Sequence, residues 1–258
     1  MEPVRIAAVI PARMASSRFP GKPLLEIRGL PMVEHVRRRA LLCGRFSEVV
    51  VATCDEQIAA VVRRNGGETV MTSPEHPAAT DRVAEAARSM DCTHVVNVQG
   101  DEILVLPSDL ARMAEAMEAE PQVPAWNAIA PLENAAELSD SSIVKCAVSR
   151  SGRILFCSRN LSHLRPMLEP GGAAVQKILG ILAYRKDFLE RYLRFPRTPL
   201  ELAEAIDQSR ILEHDIELRG VPFSKGYIGI NEQREVSAVG EILHSDPRQQ
   251  EILREVLV

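Results

Sequence analysis

The sequence of 258 residues predicts an α/β protein with a mostly parallel sheet, helices on both faces and a small antiparallel extension. Two observations favour this class. Short apolar, β-branched runs alternate with amphipathic helical segments up to about residue 120. Beyond that point several strand-like runs follow one another with little helix between them, which is typical of antiparallel pairing.

The first half shows the alternation most clearly. The first helix has Val33, Val36 and Ala40 on one face, Pro31 suits its first turn, and Gly44 suits its end. The strands are predicted at Arg5–Ile10, Ser47–Thr53, Glu68–Met71 and His94–Val98. The helices are predicted at Met32–Leu42, Asp55–Asn65, Thr80–Met90 and Pro107–Met117.

The second half begins with strands and returns to helices. Its strands are predicted at Val123–Ala130, Val144–Val148, Arg153–Phe156, Leu179–Tyr184 and Glu217–Val221. Its helices are predicted at Lys186–Leu193, Leu200–Leu212, Glu232–Leu243 and Arg248–Val258. We find no internal repeat, and we expect residues 1–258 to form a single domain.

Composition argues against several functional classes. The net charge of −4 argues against a general nucleic-acid binder, whose affinity would need an overall basic face. No run approaches the roughly 20 apolar residues of a membrane helix, and the N-terminus lacks a secretory signal pattern, so we expect a cytoplasmic protein. The five cysteines are scattered without a C-x-x-C pair, which favours neither a zinc site nor a disulfide framework.

A loop rich in cations follows the first strand, at the position where open parallel sheets usually bind ligands. Its cations can screen several negative charges, its hydroxyls can donate, and its glycine lets the backbone approach an oxygen closely. This chemistry predicts a polyphosphate site, although an exposed solubilising loop is the alternative. The spacing matches neither the Walker loop nor the dinucleotide loop. The residues concerned are Arg13, Ser16, Ser17, Arg18, Gly21 and Lys22.

A second segment, VVNVQGDE at 95–102, is an apolar strand that ends abruptly in polar residues. Its exit brings Gln99 and Asp101 to the same sheet edge as the cationic loop. Asp101 suits Mg²⁺, which prefers one or two carboxylates together with phosphates and water. The alternative is that Gly100 and Asp101 serve only as turn residues.

A third segment, HPAATDR at 76–82, lies at the start of a predicted helix. Thr80 opens that helix, and its free amide groups together with Arg82 could hold part of a nucleotide. The alternative is a purely structural N-terminus, with Asp81 as a first-turn acid. The two interpretations are compatible.

The three segments resemble the signature motifs of cytidylyltransferases that activate acidic sugars, above all the CMP-Kdo synthetase (3-deoxy-manno-octulosonate cytidylyltransferase) family. Four further segments, at 140–145, 156–159, 177–185 and 199–210, resemble other motifs of the same family. The resemblance implies a Rossmann-like nucleotidyltransferase fold, CTP and a small acidic acceptor as substrates, Mg²⁺ as cofactor, and a homodimer. It also implies a CTP-binding half at 1–120 and an acceptor-binding and dimerisation half at 121–258.

The resemblance assigns roles to individual residues. Those implied for catalysis are Arg13, Arg18, Lys22 and Asp101. Those implied for the nucleotide are Pro11, Ala12, Arg13, Ser16, Lys22, Thr80, Arg82 and Gln99. Those implied for the acceptor are Arg18, Gln99, Arg159, Tyr184, Glu201 and Gln208. Asp101 and Asn231 are implied for the metal.

Two positions depart from the family pattern. Ile178 stands where the family has a histidine associated with the sugar acid, and Asn231 stands where it has a metal-binding aspartate. The expected reaction is transfer of CMP from CTP to a Kdo-type 3-deoxy sugar acid, with release of pyrophosphate. CMP transfer to a phosphonate such as phosphonoformate is the first alternative, since the departures affect the acceptor side. A nucleotide-binding subunit without turnover is the second.

Overall fold

Strands and helices alternate through the first part of the chain, as the sequence predicts. The computed structural model describes residues 3–15, 18–167 and 174–258. The strands of this part are β1 Ile6–Ala12, β2 Glu26–Ile27, β3 Leu30–Pro31, β4 Glu48–Thr53, β5 Glu68–Met71 and β6 His94–Val98. The helices are α1 Met32–Leu42, α2 Glu56–Arg64, α3 Ala79–Arg88 and α4 Pro107–Ala119. The short β2–β3 hairpin was not predicted.

The rest of the chain is richer in strands and ends in two helices. Its strands are β7 Ala125–Ala130, β8 Lys145–Val148, β9 Ile154–Ser158, β10 Val175–Arg185 and β11 Leu218–Pro222. Its helices are α5 Lys186–Tyr192, α6 Pro199–Glu204, α7 Gln208–Glu213, α8 Glu235–Ser245 and α9 Pro247–Val256. Two compact units result, one of Met1–Ala114 with Tyr227–Val258 and one of Glu115–Gly226.

The first unit is built on four parallel strands in the order β6, β1, β4, β5. Strand β1 is buried along its whole length, because helices cover the sheet and apolar residues fill both sides of the strand. Val9 of β1 lies opposite Asn97 of β6. The chain therefore leaves β1 and β6 side by side, so the two motifs that follow these strands emerge together.

The carboxyl-terminal helices belong to the first unit. Val239 and Leu243 of α8 join a buried apolar cluster with Ile103 and Leu104. Gln249 Nε2 of α9 also donates to the Leu104 carbonyl at 2.7 Å. These contacts hold the segment that follows Asp101.

The second unit confirms the predicted antiparallel extension. Strand β7 pairs with β11 in parallel and with β10 in antiparallel orientation. Strands β8 and β9 continue from β10 as antiparallel neighbours. The α/β class, with a mostly parallel sheet and this small extension, is thus confirmed.

The prediction of one continuous helix over Leu200–Leu212 was wrong. The helix breaks at Ala205, which adopts a left-handed conformation with φ 52°. Arg159 donates to the carbonyls of Glu204 at 2.7 Å and Ala205 at 3.2 Å. The left-handed Ala205 ends α6, the Arg159 guanidinium satisfies the two carbonyls that a continuing helix would have paired with amides further along the chain, and α7 starts anew at Gln208.

The structure also bears on the classes considered from composition. Of the helices within the described residues, none is long and apolar enough to cross a membrane. None of the five cysteines, all of which lie in the described residues, forms a disulfide, and Cys92, Cys146 and Cys157 are buried. Burial raises the pKa of the Cys146 thiol to about 12, so this side chain behaves as a small apolar group.

Candidate active site

A cavity of about 220 Å³ lies in the first unit where the chain leaves β1 and β6 and where α3 begins. Eight of the residues predicted from sequence line it together: Pro11, Ala12, Arg13, Arg18, Lys22, Arg82, Gln99 and Asp101. Pro23, Ala78, Ala79 and Gly100 complete the lining. Ser16, also predicted, lies outside the described residues.

Two glycines shape the cavity. Gly21 has φ 77°, a left-handed conformation that closes the loop, and its amide donates to the Met14 carbonyl at 2.9 Å. A Cβ on Gly100 would lie only 3.0 Å from the Pro11 carbonyl oxygen, so glycine lets the exits of β1 and β6 approach closely. Asp55, which sequence reasoning missed, accepts from the Met14 amide at 2.8 Å and ties the loop to the end of β4.

Lys22 and Asp101 form the centre of the site. Lys22 Nζ lies 2.8 Å from Asp101 Oδ2, and both side chains are largely buried. The same ammonium donates to the Ile230 carbonyl at 3.0 Å. The cationic loop and the carboxylate after β6 therefore meet, as the sequence predicts.

Asn231 also lies beside this centre. The Ile230 amide donates to the Asp101 carbonyl at 3.1 Å, which seats the segment just before α8 against Asp101. Arg18 Nη2 donates to Asn231 Oδ1 at 3.3 Å. The carboxyl-terminal segment thus supplies a neutral amide next to a guanidinium of the cavity.

The start of α3 forms another wall. Arg82 lines the cavity, whereas Thr80, which the sequence also predicted for the nucleotide, is not among the lining residues. Both side chains are nearly fully buried, and Arg82 Nη1 donates to Thr72 Oγ1. Asp81 accepts from the Ala78 amide at 3.2 Å, so this acid serves the helix terminus. Glu85, which sequence reasoning missed, holds the preceding loop. The Ser73 amide and His76 donate to its carboxylate, and these hydrogen bonds lower its pKa.

The cavity is strongly cationic. Its lining carries four positively charged side chains and one carboxylate, Asp101. A chain with net charge −4 thus concentrates positive charge at one place. Such a field attracts polyanions such as a nucleoside triphosphate.

The acceptor candidates other than Arg18 and Gln99 belong to the second unit, where each has internal partners. Gln208 Nε2 donates to Asn127 Oδ1 at 2.8 Å. Tyr184 is 1% exposed and stacks with Phe188 at a centroid distance of 6.4 Å. Arg159 donates to backbone carbonyls, including that of Ser141 at 2.8 Å.

Lys145 organises the surroundings of Arg159. Its side chain is fully buried, and its ammonium donates to the carbonyls of Asp140 at 2.7 Å, Ile143 at 2.8 Å and Arg159. Burial lowers the pKa of Lys145. From the sequence, Lys145 is one of few lysines and belongs to the family motif at 140–145, whereas its three hydrogen bonds are visible only in the structure.

Glu201 is a buried carboxylate between two arginines. Arg210 Nε donates to it at 2.7 Å and Arg197 Nε at 2.9 Å. Burial alone would raise the pKa of Glu201, but these hydrogen bonds and the Thr198 amide outweigh that effect and lower it to about 2. Only the folded structure brings both arginines to Glu201.

We expect Glu201→Gln to lower the free energy of unfolding at pH 7 by about 3 kcal/mol, because two guanidinium groups lose their buried counter-charge. The pKa of Glu201 is lowered on folding, so its contribution is complete above about pH 4.5 and is lost as pH falls towards 2. Urea unfolding at pH 7 and pH 3 should show a smaller difference between variant and wild type at pH 3. Glu56→Gln, at an exposed ion pair, is the control and should change stability by less than about 1 kcal/mol. An equal difference at both pH values would contradict this prediction.

Within the described residues, no group of three or more histidine, cysteine, aspartate or glutamate side chains could hold a metal ion. The oxygens that could contribute to a metal site lie near Lys22 and Arg18. Lys22 donates to the Asp101 carboxylate and the Ile230 carbonyl, and Arg18 donates to the Asn231 amide oxygen. Asp101 is the single charged metal donor among these oxygens. They would therefore hold a metal ion only together with oxygens of a substrate.

The chain is similar over most of its length to known cytidylyltransferases. A model of the cytidylyltransferase family matches residues 7–218. The 3-deoxy-manno-octulosonate cytidylyltransferase of Geobacter metallireducens is 38% identical over 249 residues, covering 93% of this chain and 98% of that protein. The protein of the same name from Myxococcus xanthus is 41% identical over 249 residues, covering 95% and 99%.

A solved structure of similar fold leads to the same family. It is CMP:2-keto-3-deoxy-manno-octonic acid synthetase complexed with CTP, 33% identical, with a TM-score of 0.86 and coverage of 94% of this chain and 99% of that chain. The match extends over both units of the present structure. The chain therefore belongs to the cytidylyltransferase family, in the CMP-Kdo synthetase group that its sequence motifs resemble.

Proposed function

We propose that this protein transfers CMP from CTP to a Kdo-type 3-deoxy sugar acid and releases pyrophosphate. The observation that carries the proposal is the meeting of Lys22 and Asp101 at 2.8 Å inside a cationic cavity. The names of the relatives, which are 3-deoxy-manno-octulosonate cytidylyltransferases, support the choice of acceptor. The CTP bound in the similar solved structure supports the choice of nucleotide.

The proposed reaction is attack by an acceptor oxygen on the α-phosphorus of CTP. The bond between the α-phosphorus and the bridging oxygen breaks, pyrophosphate leaves, and the acceptor proton passes to solvent. Most of the barrier is charge on the phosphoryl oxygens and the leaving group, so cations carry most of the catalysis. Arg13 and Lys22 would neutralise the β- and γ-phosphates, and Arg18 would act at the α-phosphate and the entering oxygen.

The remaining nucleotide contacts follow from the cavity lining. Pro11, Ala12 and Gln99 would contact the nucleoside, since they border the cavity beside the cationic loop. The start of α3, with Thr80 and Arg82, would hold phosphate or ribose oxygens through amide and guanidinium groups. Ser16 belongs to this proposal through its place in the loop sequence.

Mg²⁺ is the proposed cofactor, and the donor set fits it, because Mg²⁺ is usually held by one or two carboxylates together with substrate phosphates. Asp101 would be the charged ligand, with the amide oxygen of Asn231 as a neutral one. When bound, the ion would neutralise phosphate charge and lower the pKa of an acceptor hydroxyl. Lys22 donates to the Asp101 carboxylate, so its ammonium would turn towards the triphosphate, whereas the Asn231 amide oxygen has two lone pairs and could face the ion while it still accepts from Arg18.

The acceptor side of the proposal comprises Arg18 and Gln99 in the cavity and four residues of the second unit. Those four are Arg159, Tyr184, Glu201 and Gln208. Their support is the family motif in which each stands. The internal partners of Glu201 and Arg159 add a structural role, because these two hold α6, α7 and the adjoining loops.

The proposal is tested by incubating the protein with CTP, Mg²⁺ and one acid at a time while pyrophosphate release is followed. We expect release with Kdo that depends on CTP and stops with EDTA. Release only with phosphonoformate would favour the second candidate, for which Ile178, an apolar and half-buried side chain, is the supporting observation. CTP binding by calorimetry without pyrophosphate from any acid would indicate a nucleotide-binding subunit and overturn both.

We further propose that the protein is a cytoplasmic homodimer, since no disulfide joins its cysteines and since β9 exposes two large apolar side chains. Leu155 is 56% exposed and Phe156 is 40% exposed. Phe156→Glu should convert a dimeric mass into a monomeric one in light-scattering measurements. Leu202→Glu, at a residue 58% exposed on α6, is the control. A wild-type protein that is monomeric at micromolar concentration would contradict this.

A further inference from the structure

Among the cations that line the cavity, Arg18 is held by an uncharged partner, as Arg82 is by the Thr72 hydroxyl. Lys22 is balanced by Asp101, with which it forms an ion pair at 2.8 Å. The described residues give the Arg18 guanidinium a hydrogen bond to the amide oxygen of Asn231, at 3.3 Å. An amide accepts this hydrogen bond without cancelling the positive charge. Arg18 thus keeps its charge at the cavity wall.

The position of Asn231 is well defined by the backbone. Glu235 accepts from the amides of Asn231 and Glu232, which orders the turn before α8. Gly229 packs against Asp101, where a Cβ would lie 3.0 Å from the Asp101 carbonyl oxygen. An aspartate at 231 would fit this same position, because aspartate and asparagine have nearly the same shape.

The consequence of such a carboxylate is electrostatic. A carboxylate 3.3 Å from the guanidinium would form a charge-assisted pair and compensate Arg18, as Asp101 compensates Lys22. An incoming anion would then have to compete with an internal carboxylate for the same guanidinium. With asparagine, the anion meets an uncompensated cation held in place by a weak neutral hydrogen bond.

We propose that Asn231 is a positioning residue that sets acceptor specificity by holding Arg18 without neutralising it, so that the guanidinium binds an oxyanion group of the acceptor. The inference rests on the proposed function for the identity of the acceptor. Because residue 231 contacts the Arg18 guanidinium, its charge decides how strongly Arg18 binds the anionic group of the acceptor. Asn231 thus has a role that does not require metal.

The test is a double-mutant cycle on anion binding, measured by calorimetry in EDTA so that metal and turnover are absent. The probes are Kdo and phosphonoformate. For the probe that binds wild type, we expect Asn231→Asp to raise Kd about fivefold or more. The same substitution should also flatten the dependence of Kd on ionic strength. In the Arg18→Met background the same substitution should change Kd by less than about twofold, whereas a folding defect would weaken binding in both backgrounds.

Gln233→Glu is the matched control, since it adds the same charge at an exposed position two residues away. It should leave Kd within about twofold of the wild-type value. Three results would overturn the inference. They are an unchanged anion affinity in Asn231→Asp, an equal effect of this substitution in the Arg18→Met background, and no binding of either anion to wild type. Loss of affinity in Asn231→Asp without pyrophosphate release by wild type would instead overturn the proposed function and keep the inference.

Discussion

Replacing Lys22 with methionine is expected to lower kcat/KM for CMP transfer by about 10³-fold. Removal of one preorganised group that stabilises developing charge typically costs 10²- to 10³-fold. Lys22 also carries the ion pair with Asp101, which then loses its partner. The measurement is pyrophosphate release at varied CTP concentration, with kcat and KM determined separately.

The companion variants make the Lys22 experiment specific. Lys22→Arg keeps the charge but spreads it over a planar fork that does not reproduce the compact contacts at 2.8 and 3.0 Å, so a smaller loss is expected. Lys186→Met removes a lysine at the start of α5 in the second unit and should leave kcat/KM within about twofold. Activity above about a tenth of wild type in Lys22→Met would contradict the proposed role.

Replacing Asp101 with asparagine is expected to lower kcat by at least about 10³-fold. Asp101 is the charged donor of the proposed metal set and lies in the turn that follows the buried strand β6, so loss of its charge weakens metal binding without disturbing the sheet. Excess Mg²⁺ should not restore the rate, because the remaining donors are neutral. The measurement is pyrophosphate release across a Mg²⁺ titration.

A matched variant controls for the loss of an acidic side chain. Asp91→Asn lies in an exposed pair with Arg5 and should leave the Mg²⁺ dependence unchanged. Thermal unfolding should report that Asp101→Asn is folded, because asparagine has nearly the same shape and its amide oxygen can still accept from Lys22. Wild-type kcat in Asp101→Asn at saturating Mg²⁺ would remove this residue from the proposed metal site.

Local pattern was enough to find most of the elements. Strands β5 and β6 and helix α1 match their predicted bounds or differ only at the ends, because apolar periodicity and glycine or proline stops act over a few residues. The helix predicted across Ala205 failed for a reason outside its own sequence. Arg159, 46 residues away, binds the Ala205 carbonyl, and no local signal contains that contact.

The site divides in the same way. Arg13, Arg18 and Lys22 could be recognised from the letters, because so many cations and a glycine in one loop after a strand already indicate a phosphate site. Asp55 and Glu85 could not, since their roles consist of hydrogen bonds to the Met14 and Ser73 amides. No sequence pattern distinguishes an acidic residue that accepts from a distant backbone amide from any other acidic residue.

By itself, then, the sequence determined the α/β class and the chemistry of the loop after β1, since both depend on short-range periodicity and composition. The sequence placed the cationic loop and Asp101 at the same sheet edge, but only the tertiary structure decided the direct contacts of Lys22 with Asp101, 79 residues away, and with the Ile230 carbonyl, 208 residues away. It also decided that Asn231 faces Arg18. The physical reason is that pairing between distant residues depends on how strands and helices pack in three dimensions, and that packing is set by the sum of many weak contacts along the whole chain.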